Sequence, residues 1–294
     1  MPISWYPGHM HKARKEIAKA LMQTDMVLEL LDARAPLSSA NPLLRSMAEH
    51  LPTLTILTKA DLADPESTRV WQEFINARPN SLCLISSADK IPDPPALFRA
   101  LQQLTDRQHS NKTSRARQIL VIGIPNVGKS TLINHLAKRK VAKTGNEPAV
   151  TKGLQKVKLN DNWYLVDSPG MMWPKLENQV GAFNLACLGS IRNTAIDIEE
   201  IAWHLIERLS ADNYSLLQRR YQLPWACPQT TELLLTAIAQ KHGCLGKNAS
   251  INWHRVAELV LDDFRSGRIG LITLEQPGDF DTDSKNASQG SNFQ

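Results

Sequence analysis

The 294-residue sequence lacks three features that would each point to a particular class of protein. No apolar run approaches the roughly 18 consecutive residues that a membrane-spanning helix needs. The first ten residues, MPISWYPGHM, have neither the apolar core of a signal peptide nor the Arg- and Ser-rich character of a transit peptide. The four cysteines show no CxxC spacing, which favours reduced, buried thiols over disulfides or a metal site. These absences predict a soluble, cytoplasmic protein.

Acidic residues are also scarce in one part of the chain. Residues 101–160 contain twelve Lys and Arg against two acids, Asp106 and Glu147, and the net charge of the whole chain is +5. A basic region favours a polyanionic partner, which is usually a nucleic acid. The alternative is a solvated surface with one lysine used for nucleotide phosphate.

The length and the 42% apolar content favour two domains. Up to about residue 170, apolar runs alternate with amphipathic stretches, which predicts a doubly wound α/β domain with a mostly parallel sheet. Asp64-Pro65 and Asp93-Pro94 each combine an N-cap with a first-turn proline, so each predicts a helix start. The predicted strands are residues 26–32, 53–58, 82–86, 118–123, 154–159 and 163–167.

Beyond about residue 178 the strand pattern stops and a small all-α domain is predicted. Gly243 and Gly267 lie where glycines end helices. We therefore predict an α/β domain over residues 1–177, a helical domain over 178–275 and a disordered polar tail over 276–294. The helices are expected at residues 197–209, 214–221, 230–243 and 252–267.

The segment GIPNVGKST, residues 123–131, matches the phosphate-loop pattern GxxxxGK[ST]. It follows an apolar strand and opens a helix, which is the context that this loop requires. Lys129 is expected to reach the β- and γ-phosphates, and Ser130 to place its hydroxyl on Mg²⁺. The loop residues predicted to bind the nucleotide are Asn126, Val127, Gly128, Lys129, Ser130 and Thr131.

The segment DSPG, residues 167–170, ends the last predicted strand. Asp167 is expected to hold the magnesium ion through water, and Gly170 to offer its N–H to the γ-phosphate and to flip when that phosphate leaves. Thr151 is a candidate to close over the magnesium in the triphosphate state. The alternative for Thr151 is an ordinary turn threonine.

The segment TKAD, residues 58–61, suits the recognition of guanine. Asp61 can accept two hydrogen bonds that adenine cannot donate, and the stem of Lys59 can lie along the ring. Thr58 opens this segment, and at the end of the next strand Ala88 of Ser86-Ser87-Ala88 can donate its N–H to the guanine carbonyl. These segments lie upstream of the phosphate loop, but parallel strands bring all such loops to one edge of the sheet. The sequence therefore predicts a circularly permuted P-loop GTPase domain that binds GTP and GDP with Mg²⁺.

The chain resembles the circularly permuted GTPases, and among them the family of ribosome biogenesis GTPase A. The resemblance implies a bacterial or organellar GTPase that binds the large ribosomal subunit and its rRNA late in assembly, with a helical domain that contacts RNA. We expect no DNA and no membrane among its partners, and we expect a monomer. The segments that carry the resemblance are WYPGHMHKA, DARAPLSSANP, TKAD, GIPNVGKST, DSPGMMWPK and DDFRSGRIGLITLE.

Two positions depart from the family pattern. Thr58 replaces the usual Asn, which in the family also supports the phosphate loop, so weaker base affinity is expected. Ala149 replaces a glycine in PAVT, which disfavours a positive φ there and is expected to slow closure of the Thr151 loop.

The position after DSPG holds Met171 where many GTPases have a water-orienting Gln. His9 is the candidate replacement, since an imidazole can position or polarise water and the resemblance gives the N-terminal histidine this role. Alternatively, His9 only orders the N-terminal loop or contacts RNA. Asn126 is a candidate to help hold K⁺ beside the phosphates, with a turn-forming Asn as the alternative.

Three basic segments are candidates for contact with RNA phosphates: residues 9–15, residues 137–143 and Arg219-Arg220. Each alone is as well explained by a solvated helix surface. Trp203, Trp225 and Trp253 are expected in the helical core rather than in base stacking. Besides a GTPase switch for ribosome assembly, two alternatives stay open: an RNA-binding scaffold that senses GTP with negligible hydrolysis, and a GTPase that acts on another RNA.

Overall fold

The computed structural model describes residues 9–107, 116–141, 154–172, 179–191 and 196–279, with side chains from Arg14 onward. These residues divide into two compact units. The first unit combines the described parts of Ser4–Leu176 and of Thr273–Gln294, and the second consists of those within Glu177–Ile272. None of the described helices has the length and apolar character that crossing a membrane requires.

The first unit is built on a six-stranded sheet in the order β3-β2-β1-β4-β6-β5. All neighbouring strands are parallel except β5, which runs antiparallel to β6 at the edge. All seven residues of β1 are buried, and because successive side chains point to opposite sides, both faces of the sheet are covered. The strands are β1 Met26–Asp32, β2 Thr53–Thr58, β3 Ser81–Ile85, β4 Arg117–Ile122, β5 Gln155–Lys158 and β6 Trp163–Asp167.

This sheet confirms the predicted doubly wound fold. Asp64 and Asp93 cap α4 and α5 as predicted, accepting hydrogen bonds from Ser67 N at 2.7 Å and from Ala96 N at 2.8 Å. A short 3₁₀ turn, Ala60–Leu62, follows β2. The helices of this unit are α1 His9–Leu21, α2 Pro36–Ser39, α3 Pro42–Ala48, α4 Pro65–Asn76, α5 Pro94–Arg107 and α6 Lys129–Ala137.

The second unit is helical, as predicted. Gly243 and Gly267 follow the ends of α10 and α11 with φ of 67° and 74°, so both occupy the left-handed region that ends a helix. Helix α7 was not predicted, since its nine residues carry little polar–apolar contrast. The helices are α7 Gln179–Cys187, α8 Ile198–Asp212, α9 Tyr214–Tyr221, α10 Thr231–Lys241 and α11 Trp253–Arg265.

Two expectations for individual positions need correction, those for Trp203 and Cys227. Trp203 is 41% exposed rather than part of the helical core, because it lies on the outer side of α8. Trp225 and Trp253 are half-buried. Cys83, Cys187 and Cys244 are buried free thiols as expected, but Cys227 is exposed because it lies between α9 and α10.

The end of the helical region also differs from the expected residue 275. Thr273–Gln276, which we call the C-terminal strap, packs on the first unit. Leu274 N donates to Arg34 O at 2.7 Å, and Trp71 Nε1 donates to Glu275 O at 2.9 Å. These hydrogen bonds and the burial of Leu274 and Glu275 explain why the strap belongs to the first unit rather than to the helical unit. Residues 280–294, most of the predicted tail, lie outside the described residues.

Candidate functional site

The phosphate loop links β4 to α6, and both of its glycines are required by the backbone. Gly128 is the N-cap of α6 with φ of 99°, a conformation that other residues rarely adopt. A Cβ at Gly123 would lie 2.8 Å from Leu30 O, inside van der Waals contact. Helix α6 then begins at Lys129, so its first backbone N–H groups are available to an anion at this point.

Lys129 is buried with its ammonium group directed back onto this loop. Nζ donates to Gly123 O at 2.9 Å and to Ile124 O at 2.8 Å. Burial lowers the pKa of Lys129 to about 8, against the opposing charge of Asp167. A buried cation held by two carbonyls is well prepared to transfer to phosphate oxygens, which carry full charges.

Asp167 ends β6 and is fully buried. Neither of its carboxylate oxygens has a hydrogen-bond partner among the described residues. Burial raises the pKa of Asp167 to about 6, and the charge of Lys129 opposes this shift. A buried carboxylate with both oxygens unsatisfied, together with the hydroxyl of Ser130 at the start of α6, is the hard oxygen donor set that suits Mg²⁺.

Gly170 lies against the phosphate loop. A Cβ at this position would come within 2.9 Å of the Pro125 backbone and 3.0 Å of Lys129 Nζ. Only a glycine allows so close an approach. The segment DSPG therefore contacts the lysine predicted to hold the γ-phosphate, although the two are separated by forty residues along the chain.

Thr58 joins the predicted base-reading segment to the phosphate loop. Its Oγ1 lies 2.9 Å from Val127 O and 3.0 Å from Leu31 O. A hydroxyl has one proton, so it donates to one of these carbonyls at a time. Thr58 thus retains a contact with the loop at the position where the family pattern has Asn.

Lys59 is held by an ion-pair network that the sequence analysis missed. Its Nζ lies 2.9 Å from Asp32 Oδ2, while Arg34 binds the same carboxylate through Nε at 2.9 Å and through its terminal nitrogen at 2.8 Å. Burial on its own would raise the pKa of Asp32, but the charges of Arg34 and Lys59 outweigh it and hold that pKa well below its usual range. One feature of the sequence points to this network: Asp32 is an acid at the carboxyl end of a wholly buried strand, where a carboxylate needs a charged partner.

Asp61 and Ala88 lie side by side, as guanine recognition requires. Asp61 Oδ1 accepts a hydrogen bond from Ala88 N at 3.0 Å. Ala60 N donates to Ser86 O at 3.0 Å and ties the two segments together, and Ser87 Oγ donates to Asp89 at 2.6 Å. The base-reading groups here satisfy each other, so a guanine would exchange this hydrogen bond for its own.

Asn41 connects the DARAPLSSANP segment to the residues after DSPG. Its Nδ2 donates to Met171 O at 2.8 Å, while its Oδ1 caps α3 by accepting from Leu43 N and Leu44 N. Met171 is completely buried. Its side chain therefore packs in the protein interior and has no part in orienting water.

Some of the remaining predicted site residues lie outside the described part of the chain, and the others are characterised by their backbone conformation or exposure. The side chain of His9, together with Thr151 and Ala149, lies outside the described residues. Asn126 has φ of 61°, a left-handed conformation that Asn tolerates, as the turn-forming alternative expects. Thr131 is exposed on α6.

Two of the basic segments are exposed where they are described. These residues are Arg14 and Lys15 on α1, and Lys138, Arg139 and Lys140 after α6. Arg219 is exposed as well, but Arg220 is paired with the buried Asp263 at 2.9 Å, so much of its charge is already compensated.

Comparisons with known proteins agree with this geometry. A family model described as "50S ribosome-binding GTPase" matches residues 118–220, which begin at the strand before the phosphate loop. A Bacillus pumilus protein named Ribosome biogenesis GTPase A is 37% identical over 281 residues, covering 94% of this chain and 99% of that protein. A Xenopus tropicalis protein named Mitochondrial ribosome-associated GTPase 1 is 30% identical over 293 residues, covering 92% of this chain and 94% of that protein.

The fold is also similar to solved structures. A GNP-bound YlqF from T. maritima superposes with a TM-score of 0.64 at 24% identity, covering 90% of this chain and 98% of that one. A GDP-bound YlqF structure gives a TM-score of 0.65 at 23% identity, with coverage of 90% and 99%. The fold is therefore shared over nearly the full length of both chains.

Proposed function

Because the chain belongs to the family of ribosome biogenesis GTPase A, whose members are GTPases, we propose that it is a GTP-driven switch that binds rRNA and assists late assembly of the large ribosomal subunit. The observation that supports this most is the hydrogen bond between Thr58 and Val127 O, because it links the base-reading segment to the phosphate loop. One GTP then spans Asp61 and Lys129 despite their inverted order in the sequence. Family membership favours GTP hydrolysis over the scaffold alternative.

The chain supplies the binding and orientation of GTP. Asp61 accepts hydrogen bonds from the guanine ring, and the backbone amides at the start of α6 bind the phosphates. The ammonium group of Lys129 exchanges its hydrogen bonds to the loop carbonyls for hydrogen bonds to the β- and γ-phosphates. Asp167 and Ser130 would hold Mg²⁺, which neutralises charge on the phosphate oxygens. The N–H of Gly170 contacts the γ-phosphate. When the γ-phosphate leaves after hydrolysis, the DSPG segment is released.

Three further roles belong to this proposal. His9 orients the attacking water, since Met171 is buried; Thr151 closes over the magnesium; and Asn126 helps to bind K⁺. His9→Ala should cut RNA-stimulated turnover strongly while GTP affinity stays nearly intact, and unchanged stimulated turnover would remove His9 from the mechanism. Equal turnover in sodium and potassium buffers would contradict the role of Asn126.

The surface of this protein that contacts RNA is proposed to be basic. The exposed cations of α1 and of the segment after α6 supply phosphate contacts, Arg219 adds one from the helical unit, and that unit is proposed to bind RNA. Because the segment after DSPG leads into the helical unit, GTP is expected to favour the RNA-binding arrangement. The protein is proposed to act in the cytoplasm as a monomer, with no DNA or membrane partner.

Cosedimentation tests this function directly. The chain is mixed with precursor or mature large ribosomal subunits in the presence of a GTP analogue, of GDP or of no nucleotide. We expect tight binding to precursor particles with the GTP analogue and release with GDP. Equal binding in all nucleotide states would contradict the switch, and binding to another RNA instead would favour the alternative substrate.

A further inference from the structure

The helical unit contains a cavity of about 480 Å³ that plays no part in binding GTP. Most of its wall comes from α8, with contributions from α7, α10 and α11. We call it the acidic–aromatic pocket, defined by Phe183, Glu199, Glu200, Trp203, Glu207 and Trp253.

Aromatic side chains form the apolar part of this pocket. Trp203 is 41% exposed although it is the largest side chain on α8. Phe183 stacks on His204 with ring centroids 4.3 Å apart and 24° between the ring planes, which fixes the wall beside it. An exposed tryptophan in a concave surface is a feature of binding sites more than of ordinary protein surface.

The charged part of the pocket is acidic. Glu199, Trp203 and Glu207 follow one another at four-residue spacing, so they share one side of α8. Neither Glu199 nor Glu207 forms an ion pair with a described residue. Among the described residues, no Lys or Arg lines the pocket, although the charge of Arg208 on α8 acts on His204 in its wall. Burial and the charge of Arg208 lower the pKa of His204, with Glu207 opposing, which favours the neutral imidazole.

Helix stability explains only part of this arrangement. Glu199 and Glu200 lie in the first turn of α8, where carboxylates are favourable. Glu207 lies two turns further along, where the helix dipole gives no such benefit. The composition agrees, because residues 177–272 hold nine Lys and Arg against ten Asp and Glu while the whole chain carries +5. The helical unit does not share the basic character of the rest.

We infer that the acidic–aromatic pocket binds an arginine or lysine side chain presented by a basic segment of a partner protein. A guanidinium or ammonium group above the ring of Trp203 or Trp253 is attracted by the aromatic face, and Glu199 and Glu207 neutralise its charge. The same carboxylates repel RNA phosphates. This part of the helical unit thus takes a protein ligand, in addition to the RNA contacts proposed for Arg219.

Nuclear magnetic resonance on the full chain tests this inference. A synthetic peptide that alternates Gly and Arg is titrated while the indole N–H signals of Trp203 and Trp253 are followed, after assignment with Trp203→Phe and Trp253→Phe. A Gly–Glu peptide and oligo(U) RNA are titrated in parallel. We expect the Gly–Arg peptide alone to shift both signals.

The matched variants separate the pocket from general surface charge. Glu199→Gln combined with Glu207→Gln should weaken binding of the Gly–Arg peptide about tenfold, because two partly exposed ion pairs with the peptide are lost. Glu232→Gln, which removes an exposed first-turn glutamate of α10 outside the pocket, should change affinity less than about twofold. Thermal unfolding checks that the variants fold.

Three results would overturn the inference: unshifted indole signals, equal peptide binding by the double variant and the native chain, or larger indole shifts with oligo(U) than with the Gly–Arg peptide in the native chain. The last result would assign the pocket to RNA. GTP turnover of the double variant should equal that of the native chain, so failure of this inference is distinct from failure of the proposed function.

Discussion

The ammonium nitrogen of Lys59 lies 2.9 Å from Oδ2 of Asp32, which joins the ends of two neighbouring parallel strands. The same carboxylate is held by Arg34, whose side chain is almost completely buried. Lys59 itself has a left-handed backbone, with φ of 56°. The lysine expected to cover one face of guanine is therefore fixed at both its backbone and its charged end before the base arrives.

Asp32→Asn should weaken both folding and nucleotide binding. The buried guanidinium of Arg34 loses its counter-charge, which costs about 3 kcal/mol of unfolding free energy. Loss of the Lys59 anchor should reduce GTP affinity roughly fivefold, or about 1 kcal/mol. Urea unfolding and calorimetric GTP titration measure the two effects. Because Asp61 is unchanged, the preference for GTP over ATP should persist.

Acidification gives an internal check on this variant. The folded-state pKa of Asp32 lies below its unfolded value, so its contribution to stability is present above roughly pH 4 and is lost as the pH falls further. The stability difference between the native chain and Asp32→Asn should therefore narrow in acid. A difference that stays constant down to low pH would contradict the ion-pair explanation.

Asp61→Asn should redirect base specificity. The amide can donate to the second carbonyl of xanthine but no longer accepts both guanine hydrogens, so GTP affinity should fall at least about a hundredfold while XTP affinity rises. Competition binding with GTP, XTP and ATP measures this. Asp106→Asn, an exposed change on α5, serves as the control. Unchanged GTP preference in Asp61→Asn would remove this residue from the site.

Thr58→Val should show what the hydroxyl contributes to the phosphate loop. Valine keeps the shape of threonine but leaves Val127 O and Leu31 O without this donor, at a cost of about 1–2 kcal/mol of unfolding free energy. GTP should bind several-fold more weakly because the loop is less well fixed. Thr58→Ser retains the hydroxyl and should behave nearly as the native chain. If serine weakens binding and valine does not, the methyl group rather than the hydroxyl is what matters.

Gly170→Ala should impair turnover through crowding. The new Cβ would lie 2.9 Å from the Pro125 backbone and 3.0 Å from Lys129 Nζ, so the phosphate loop or the DSPG segment must shift. We expect turnover to fall by more than about tenfold, with a stability loss of about 1–3 kcal/mol. Single-turnover GTP hydrolysis measures the first effect. Gly278→Ala, where the added Cβ meets no atom of the described residues within 4 Å, should leave both values unchanged.

Glu275→Ala should loosen the C-terminal strap. The Glu275 carboxylate accepts from Leu37 N at 2.7 Å and Ser38 N at 3.0 Å, and also from the Ser38 hydroxyl. Removing it leaves buried donors unsatisfied and should cost about 2–3 kcal/mol of unfolding free energy. Urea unfolding followed by tryptophan fluorescence checks this. Gln276→Ala, at the exposed neighbouring position, should cost less than about 1 kcal/mol.

Local patterns made the strands and caps predictable. The bounds of β1, β2 and β6 equal the predicted ranges because an apolar run between turn residues encodes both the strand and its ends. The phosphate loop was likewise predictable from spacing. Contacts between distant segments were not predictable, because no local pattern in the sequence shows which residues will meet. Examples are the pairs Lys59 with Asp32, Asn41 with Met171, and Glu275 with Ser38. Exposure of Trp203 was missed because helical period alone does not show which side another helix covers.

The strap has a consequence for the time at which the protein becomes complete. Residues 33–38 and Trp71 contact a segment that the ribosome synthesises some two hundred residues later, after the entire helical unit. At translation rates of about 5–20 residues per second, residues 33–38 wait on the order of ten seconds or more for the carboxylate of Glu275. A nascent chain halted before Thr273 would thus carry every GTP-contacting residue proposed above while its own fold was still unfinished.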